Sequence, residues 1–345
     1  MKKRTGILAS LSLALLLTAC GGQAGGGSAV EPADGAAANG QVTKLKFAHA
    51  AAETHPFHMA TVKFADLVQE KTEGRVAFTI FPSRQLGDDR EILEQTMNGT
   101  LDAAAVSSAI FSSFTPVLDA VQMPFLINNY DLEAKVLQAP VTKELLGSLD
   151  GSLGLKGLAL FEGGMRHIAN NKKKVETPAD LEGLKLRVVP SDLIKDTFDV
   201  LGASPTPMSY GEIYSSLQTK VIDGEEINLT SIVSEKHYEV LKHVTLSGQF
   251  PFPAAVVFNA GVFEKLSPED QKAIQEAADE AAVYVLEEVK KLDEEALKTL
   301  QQEGIEITTL TDNKAFLDIT NTVYEKYTAK DPLIRKFVEE VQKMK

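Results

Sequence analysis

One apolar stripe near the C-terminal end limits the possible folds more than any other feature of the chain. It recurs at helical spacing from Ile274 to Leu300, after a Ser267-Pro268 start and before Gly304. Ser can cap such a helix, Pro fits its first turn, and the two acidic residues that follow complement the helix dipole. The helix would extend about 50 Å, farther than a lobe of about 130 residues is wide. We therefore predict that it lies across two lobes.

The residues before this helix alternate between strand-like and helix-like patterns. Apolar or alternating runs predict strands over 42–49, 76–81, 101–106, 155–161, 184–189 and 256–259. Helical spacing predicts helices over 59–71, 88–98 and 193–201. This alternation is typical of α/β proteins, and it predicts a largely parallel sheet.

The length of the globular part also favours two lobes. From residue 43 onward, roughly 300 residues have ordinary globular composition, which is more than one core usually supports. We predict a first lobe over 43–164 plus about 253–292. The second lobe is predicted over 165–252 plus about 293–345.

The first twenty residues have the pattern of a bacterial lipoprotein export signal. Lys2-Lys3-Arg4 precedes an apolar run over 7–17 that is too short to span a bilayer. Leu17-Thr18-Ala19-Cys20 follows, with a small residue directly before the only cysteine of the chain. We predict that residues 1–19 are removed as a signal peptide and that Cys20 is the lipid attachment point.

Residues 20–42 are rich in Gly and Ala and are predicted to form a flexible tether. The chain carries a net charge of -13, and removal of the three basic signal residues makes it more negative. This charge argues against nucleic acid and against adhesion to anionic lipid. A small anionic ligand is still possible, because it responds to local groups.

The sequence contains no familiar catalytic or nucleotide-binding motif. A Walker loop, a Gly-x-Gly-x-x-Gly after a strand and a Gly-x-Ser-x-Gly elbow are all missing. His55-Pro56-Phe57-His58 has a spacing that could suit a metal, but the nearby acidic residues lack a recognisable ligand spacing. We predict no metal, no cofactor and no enzymatic activity.

Two arginines occupy unusual positions. Arg166 follows a Gly163-Gly164 break after a predicted strand, where α/β sheets place ligand-binding loops. Arg187 lies in the strand predicted over 184–189, and its planar fork could hold a carboxylate bidentately. For either arginine, the alternative to binding a ligand is an ion pair with an acidic residue of this chain. The acidic pair Glu225-Glu226 could orient an arginine or could lie in a solvated loop.

Four segments occur along the chain in a characteristic order and spacing: FPSRQLGDDR over 81–90, NGTLD over 98–102, DLEGLKLRV over 180–188 and VIDGEE over 221–226. Together they resemble the DctP-like substrate-binding subunits of tripartite ATP-independent periplasmic (TRAP) transporters. The resemblance extends from Leu45 to the C-terminus. It implies an α/β, two-lobed periplasmic-binding-protein-like (Venus flytrap) fold, with the long helix spanning both lobes and a carboxylate ligand between them.

The resemblance also implies roles for individual residues. Arg187 matches the arginine that pairs with the ligand carboxylate, and Arg166 matches a second arginine after the Gly break. Tyr210 falls where the family often has an aromatic ring against the ligand.

Four further positions are predicted to bind substrate: Asn228, Gln249, Ser107 and Asp89. Asn228 stands one residue later than the asparagine of most members, whose position is taken by Ile227. Gln249 and Ser107 stand where sialic-acid binders carry a histidine and an acid, so sialic acid is not expected.

These observations predict an extracytoplasmic, lipid-anchored binding protein for a small organic acid such as a dicarboxylate or a sugar acid. By the resemblance, its partners are the TRAP permease subunits in the membrane. Two alternatives stay open at this point. One is the solute-binding protein of an ATP-driven importer, and the other is an exported enzyme that acts on a carboxylated substrate.

Overall fold

A computed structural model describes residues 42–345 of the chain. The predicted signal peptide, Cys20 and nearly all of the tether lie outside these residues. Within residues 42–345, no helix combines the length and the apolar character needed to cross a membrane.

The described residues form two sheets with helices around them. The strands are β1 Thr43–Ala48, β2 Val76–Phe81, β3 Ala103–Ser107, β4 Leu155–Glu162, β5 Arg166–Asn170, β6 Lys185–Val188, β7 Ser204–Pro207, β8 Gly224–Asn228, β9 His243–Leu246, β10 Pro253–Asn259 and β11 Glu306–Thr309. The helices are α1 Pro56–Lys71, α2 Asp89–Met97, α3 Tyr130–Leu137, α4 Pro140–Leu153, α5 Asp192–Val200, α6 Ile213–Gln218, α7 Leu229–Ser234, α8 Ala260–Phe263, α9 Pro268–Gln302, α10 Lys314–Lys330 and α11 Pro332–Met344.

The first sheet has the strand order β2-β1-β3-β10-β4. Its strands β1, β2 and β3 are parallel, because helices α1 and α2 carry the chain back between them. Strand β10 is antiparallel to both β3 and β4. Strands β1, β2, β3 and β4 therefore run in one direction, as the prediction of a largely parallel sheet requires, and the prediction is wrong only for β10. The reason is that β10 enters directly from the second lobe rather than through a helical crossover.

The second sheet has the order β11-β9-β5-β8-β6-β7 and is also mixed. Strand β8 lies at its centre, antiparallel to β5 and parallel to β6. This placement sets the side chains of β8 beside both candidate arginines, because Arg166 begins β5 and Arg187 lies in β6.

Two short connections join the sheets and pair with each other. The Gly163 N–H donates to the Phe252 carbonyl at 3.1 Å, and the Arg166 N–H donates to the Phe250 carbonyl at 2.9 Å. A Cβ on Gly163 would lie 2.8 Å from the Phe57 ring, and Gly164 has a φ of +120°. The Gly-Gly break is therefore required by close packing and by backbone conformation at this crossing.

Helix α9 forms the third connection and confirms the prediction of a long helix across both lobes. The Ser267 side chain caps it by accepting from the Asp270 N–H at 3.1 Å. Ile274 and Val285 of its first part lie in the larger apolar core, which includes the strands of the first sheet. Leu300, in its last turn, lies in a second core with strand β8.

The C-terminal helices contact both halves of the fold. Helix α10 packs against α5, whereas α11 packs against α3 and α4. The lobe boundaries given above stay a prediction.

Candidate ligand-binding site

A cavity of about 60 Å³ lies between the two sheets. The residues that line it from both lobes include His55, Phe57, Asp89, Arg166, Arg187 and Tyr210.

Arg187 presents a buried guanidinium to this cavity. The side chain is only 2% exposed, and its Nε donates to the Met208 carbonyl at 3.0 Å. Within residues 42–345, no carboxylate forms an ion pair with Arg187, so the intramolecular alternative is not observed for this residue. Burial lowers the pKa of Arg187, although an arginine stays charged in proteins. A buried cation of this kind requires an anion, and the cavity is where one can enter.

Arg166 lines the same cavity but already has a partner. Its Nε donates to Glu226 Oε2 at 2.6 Å, and its Nη1 donates to Asn228 Oδ1 at 3.2 Å. Its Nη2 donates to the carbonyl of Glu226. The guanidinium also lies 4.1 Å from the centre of the Phe252 ring. Arg166 is thus held rigidly as part of a buried ion pair on the cavity wall.

The acidic pair on β8 is fully buried, so the solvated-loop alternative is wrong. Glu226 binds Arg166 through one oxygen, and its Oε1 accepts from the Val189 N–H at 2.9 Å. Glu225 instead lies 2.9 Å from His237 Nδ1. The structure therefore confirms that one member of the pair orients an arginine.

Asp89 faces the arginines from the first lobe. It is the first residue of α2, and its Oδ1 accepts from the Ser107 N–H at 3.4 Å. Burial, reinforced by the neighbouring charge of Asp88, raises the pKa of Asp89 to about 7. Near neutral pH this carboxyl is therefore present in both protonation states, and it can accept from or donate to a ligand hydroxyl.

His55 forms another part of the wall and links the lobes. Its Nδ1 accepts from the Phe57 N–H at 3.2 Å, so its Nε2 carries the proton and donates to Ser231 Oγ at 3.2 Å. Burial and the nearby His49 lower the pKa of His55 to about 3. The ring is therefore neutral, and both of its nitrogens are engaged.

Three predicted substrate-binding residues stand behind the cavity rather than on its wall. Asn228 donates to the Gly163 carbonyl at 2.6 Å while it supports Arg166. Gln249 lies in the second crossing segment, where its amide donates to the His167 carbonyl at 3.4 Å. Ser107 acts through its backbone, which binds Asp89. Their direct contact with a ligand stays a prediction.

Several lining residues were not predicted as site residues, among them His55, Phe57, Ser231 and Phe252. A signal for the first two exists in the sequence. His55 and Phe57 follow the carboxyl end of strand β1, the edge at which α/β sheets place their ligands. Phe252 and Ser231 reach the cavity only through the order of the strands, which no local pattern encodes.

Two α/β lobes joined by short crossings around a cavity are the architecture of an extracytoplasmic solute-binding protein. Residues 47–331 match the family of bacterial extracellular solute-binding proteins, family 7 (DctP), and the chain belongs to this family. The 2,3-diketo-L-gulonate-binding periplasmic protein YiaO of Escherichia coli K12 is 35% identical over 302 residues, which cover 86% of this chain and 92% of YiaO.

Solved structures agree with this family. A TRAP periplasmic solute-binding protein of Chromohalobacter salexigens with bound D-glucuronate has a TM-score of 0.82 at 30% identity, over 87% of this chain and 100% of that one. A Polaromonas protein bound to D-erythronate has a TM-score of 0.83 at 29% identity, over 87% and 98% of the two chains. The predictions of a TRAP solute-binding protein, of its extracytoplasmic location and of binding rather than catalysis are thereby confirmed, and the two alternatives are set aside.

Proposed function

We propose that this protein captures a sugar acid, a small monocarboxylate with several hydroxyl groups, and delivers it to a TRAP permease in the membrane. The observation that carries the proposal is Arg187, a buried guanidinium on the cavity wall with no ion-pair partner within residues 42–345. A ligand carboxylate would supply the missing negative charge through charge-assisted hydrogen bonds.

The facing wall favours hydroxyl groups over a second carboxylate. Asp88, Asp89 and Arg90 line the cavity from the first lobe, and the Arg90 guanidinium already pairs with Glu94 at 3.1 Å. A second carboxylate brought against this acidic pair would be repelled, whereas a hydroxyl can hydrogen-bond to it. The ligands named for the related proteins, diketogulonate, glucuronate and erythronate, support a sugar acid. A C4-dicarboxylate is the second candidate, from the resemblance.

Because the cavity has walls from both lobes, full contact with the ligand requires the lobes to be together. An acid held by Arg187 alone would bind the open and closed forms nearly equally and could not shift the equilibrium between them. A ligand that reaches both Arg187 and Asp89 favours the closed form.

Calorimetry with D-glucuronate, D-erythronate, succinate and acetate tests this proposal. We expect at least one sugar acid to bind more tightly than succinate and to reduce the radius of gyration in solution scattering. Acetate cannot reach both walls and is expected to leave the scattering unchanged. Tighter binding of succinate would favour the dicarboxylate, and a folded protein that binds none of the acids would refute the proposal.

We further propose that Cys20 anchors the protein to the membrane through a lipid. Replacing Cys20 with Ala is expected to move the protein from the membrane fraction to the soluble fraction, because one cysteine carries the acyl chains. Ligand affinity should be unchanged, since about twenty residues of tether separate Cys20 from the fold. Fractionation followed by calorimetry measures both effects. A variant that stays in the membrane fraction would show that another element anchors the chain.

A further inference from the structure

An ion pair connects the two lobes beside the cavity without lining it. Arg84 lies in the first lobe between β2 and α2, and Glu235 directly follows α7 in the second. Arg84 Nη1 donates to Glu235 Oε1 at 3.0 Å, and Arg84 Nη2 donates to Glu235 Oε2 at 3.0 Å. The two side chains are only 28% and 17% exposed. This bidentate and largely buried pair is stronger than an ordinary surface salt bridge.

The backbone that presents Arg84 is strained. The Gln85 N–H donates to the Pro82 carbonyl at 3.1 Å and closes a turn. Both central residues of this turn, Ser83 and Arg84, have positive φ angles of 54° and 62°. Such turns strongly prefer Asn-Gly, because other side chains are disfavoured in this conformation. Strain of this kind persists where the surrounding structure holds it, and it often marks a functional contact.

The same turn also contacts the cavity wall. The Arg84 guanidinium lies 5.3 Å from the centre of the Tyr210 ring, and Tyr210 lines the cavity. Arg84 Nη1 additionally donates to the carbonyl of Ala50 at 3.2 Å, which ties the guanidinium to the first lobe. Nearby, Asp88 Oδ2 accepts from the Gly211 N–H at 3.0 Å across the cleft. Arg84 is thus placed to fix Tyr210 when the lobes meet.

We propose that Arg84 and Glu235 form an interlobe clasp that holds the closed cleft and sets the rate of ligand release without touching the ligand. The pair exists only when the lobes are together, so its free energy favours the closed form alone. Loss of the clasp should therefore speed release far more than it slows association. In this scheme Arg84 is a positioning residue, and the proposal depends on the proposed function only for the identity of the ligand.

The test compares Arg84→Gln and Glu235→Gln with the parent protein. The probe is D-glucuronate, or D-erythronate if only that acid binds. In stopped-flow measurements, we expect the rate constant of ligand release to rise about tenfold and the rate constant of association to change less than twofold. The charge-swapped protein, Arg84→Glu with Glu235→Arg, can form the ion pair again, so we expect it to release the ligand more slowly than either single variant. Lys314→Gln is the matched control, because it removes one positive charge from a pair contained within helix α10.

A second variant separates the clasp from folding. Glycine suits the positive φ of residue 84, so in Arg84→Gly the relieved backbone strain offsets part of the lost ion pair. The melting temperature of the ligand-free protein should therefore fall less in Arg84→Gly than in Arg84→Gln, while release accelerates in both. Release rates that match the Lys314→Gln control in both Arg84 variants would overturn the proposal.

If the proposed function is wrong, the clasp can still be tested without a ligand. Spin labels at the exposed positions Val62 and Val221, one in each lobe, report the distance between lobes in the Cys20→Ala protein. Arg84→Gln is expected to broaden that distance distribution and shift it to longer values. An unchanged distribution would refute the clasp, whether or not any acid binds.

Discussion

Replacing Arg187 with Lys is expected to weaken binding of the acid by about 2 kcal/mol or more, roughly thirtyfold. Lysine keeps the positive charge but loses the planar fork that can bind both oxygens of a carboxylate. The melting temperature of the ligand-free protein should fall only slightly, because the substitution removes the Arg187 Nε hydrogen bond to the Met208 carbonyl but breaks no ion pair within residues 42–345. Calorimetric titration gives the affinity, and scanning calorimetry of the same sample gives the melting temperature.

Lys185 offers a matched control for this experiment, since it is an exposed cation two residues away on the same strand. Lys185→Gln should leave the affinity unchanged. If Arg187 were instead a structural residue, Arg187→Lys would markedly lower the melting temperature without ligand, and the loss of binding would follow from that. Unchanged affinity in Arg187→Lys would remove the basis for a carboxylate ligand.

The elements with strong local signals could be predicted from the sequence. Helix α9 begins one residue after Ser267, and α2 begins after Asp88, because a capping side chain and an apolar stripe fix these boundaries locally. The direction of β10 could not be predicted in this way. Its partners, β3 and β4, are far from it in sequence, and pairing between distant strands leaves no periodic trace.

The two arginines show the same limit at the site. The sequence does not distinguish Arg166 from Arg187, because either arginine could form a structural ion pair with one of the many acidic residues. The difference arises from strand order. Asn228 lies directly opposite Arg166 in the register of β5 and β8, and Glu226, two residues earlier, shares its face. Glu226 is sixty residues from Arg166 in the chain, so only the fold reveals which arginine it neutralises.

Removing the charge of Glu226 is expected to have the largest effect on stability. Glu226→Gln should lower the free energy of unfolding by about 3 kcal/mol, because it leaves the Arg166 guanidinium buried without an anion. In the parent protein the Glu226 carboxylate accepts from two donors, the Arg166 Nε and the Val189 N–H. In Glu226→Gln, the amide N–H₂ would face one of these donors and could not accept from it. Urea denaturation followed by circular dichroism measures the loss.

A paired replacement isolates the cause of this loss. Arg166→Met together with Glu226→Leu removes both charges, and buried ion pairs replaced by apolar residues often lose little stability. We expect the double variant to recover most of the free energy of unfolding. A double variant as unstable as Glu226→Gln would show that packing around β8, and not the unpaired charge, determines the effect.

The same double variant distinguishes the roles of the two arginines in binding. Glu226 neutralises Arg166, whereas Arg187 has no ion-pair partner within residues 42–345 before the ligand arrives. Removing Arg166 and Glu226 together leaves the net charge around the cavity unchanged, so the carboxylate should still be attracted to Arg187. The expected result is a stable protein whose affinity falls less than that of Arg187→Lys. A greater loss would make Arg166 the main carboxylate ligand and Arg187 the supporting one.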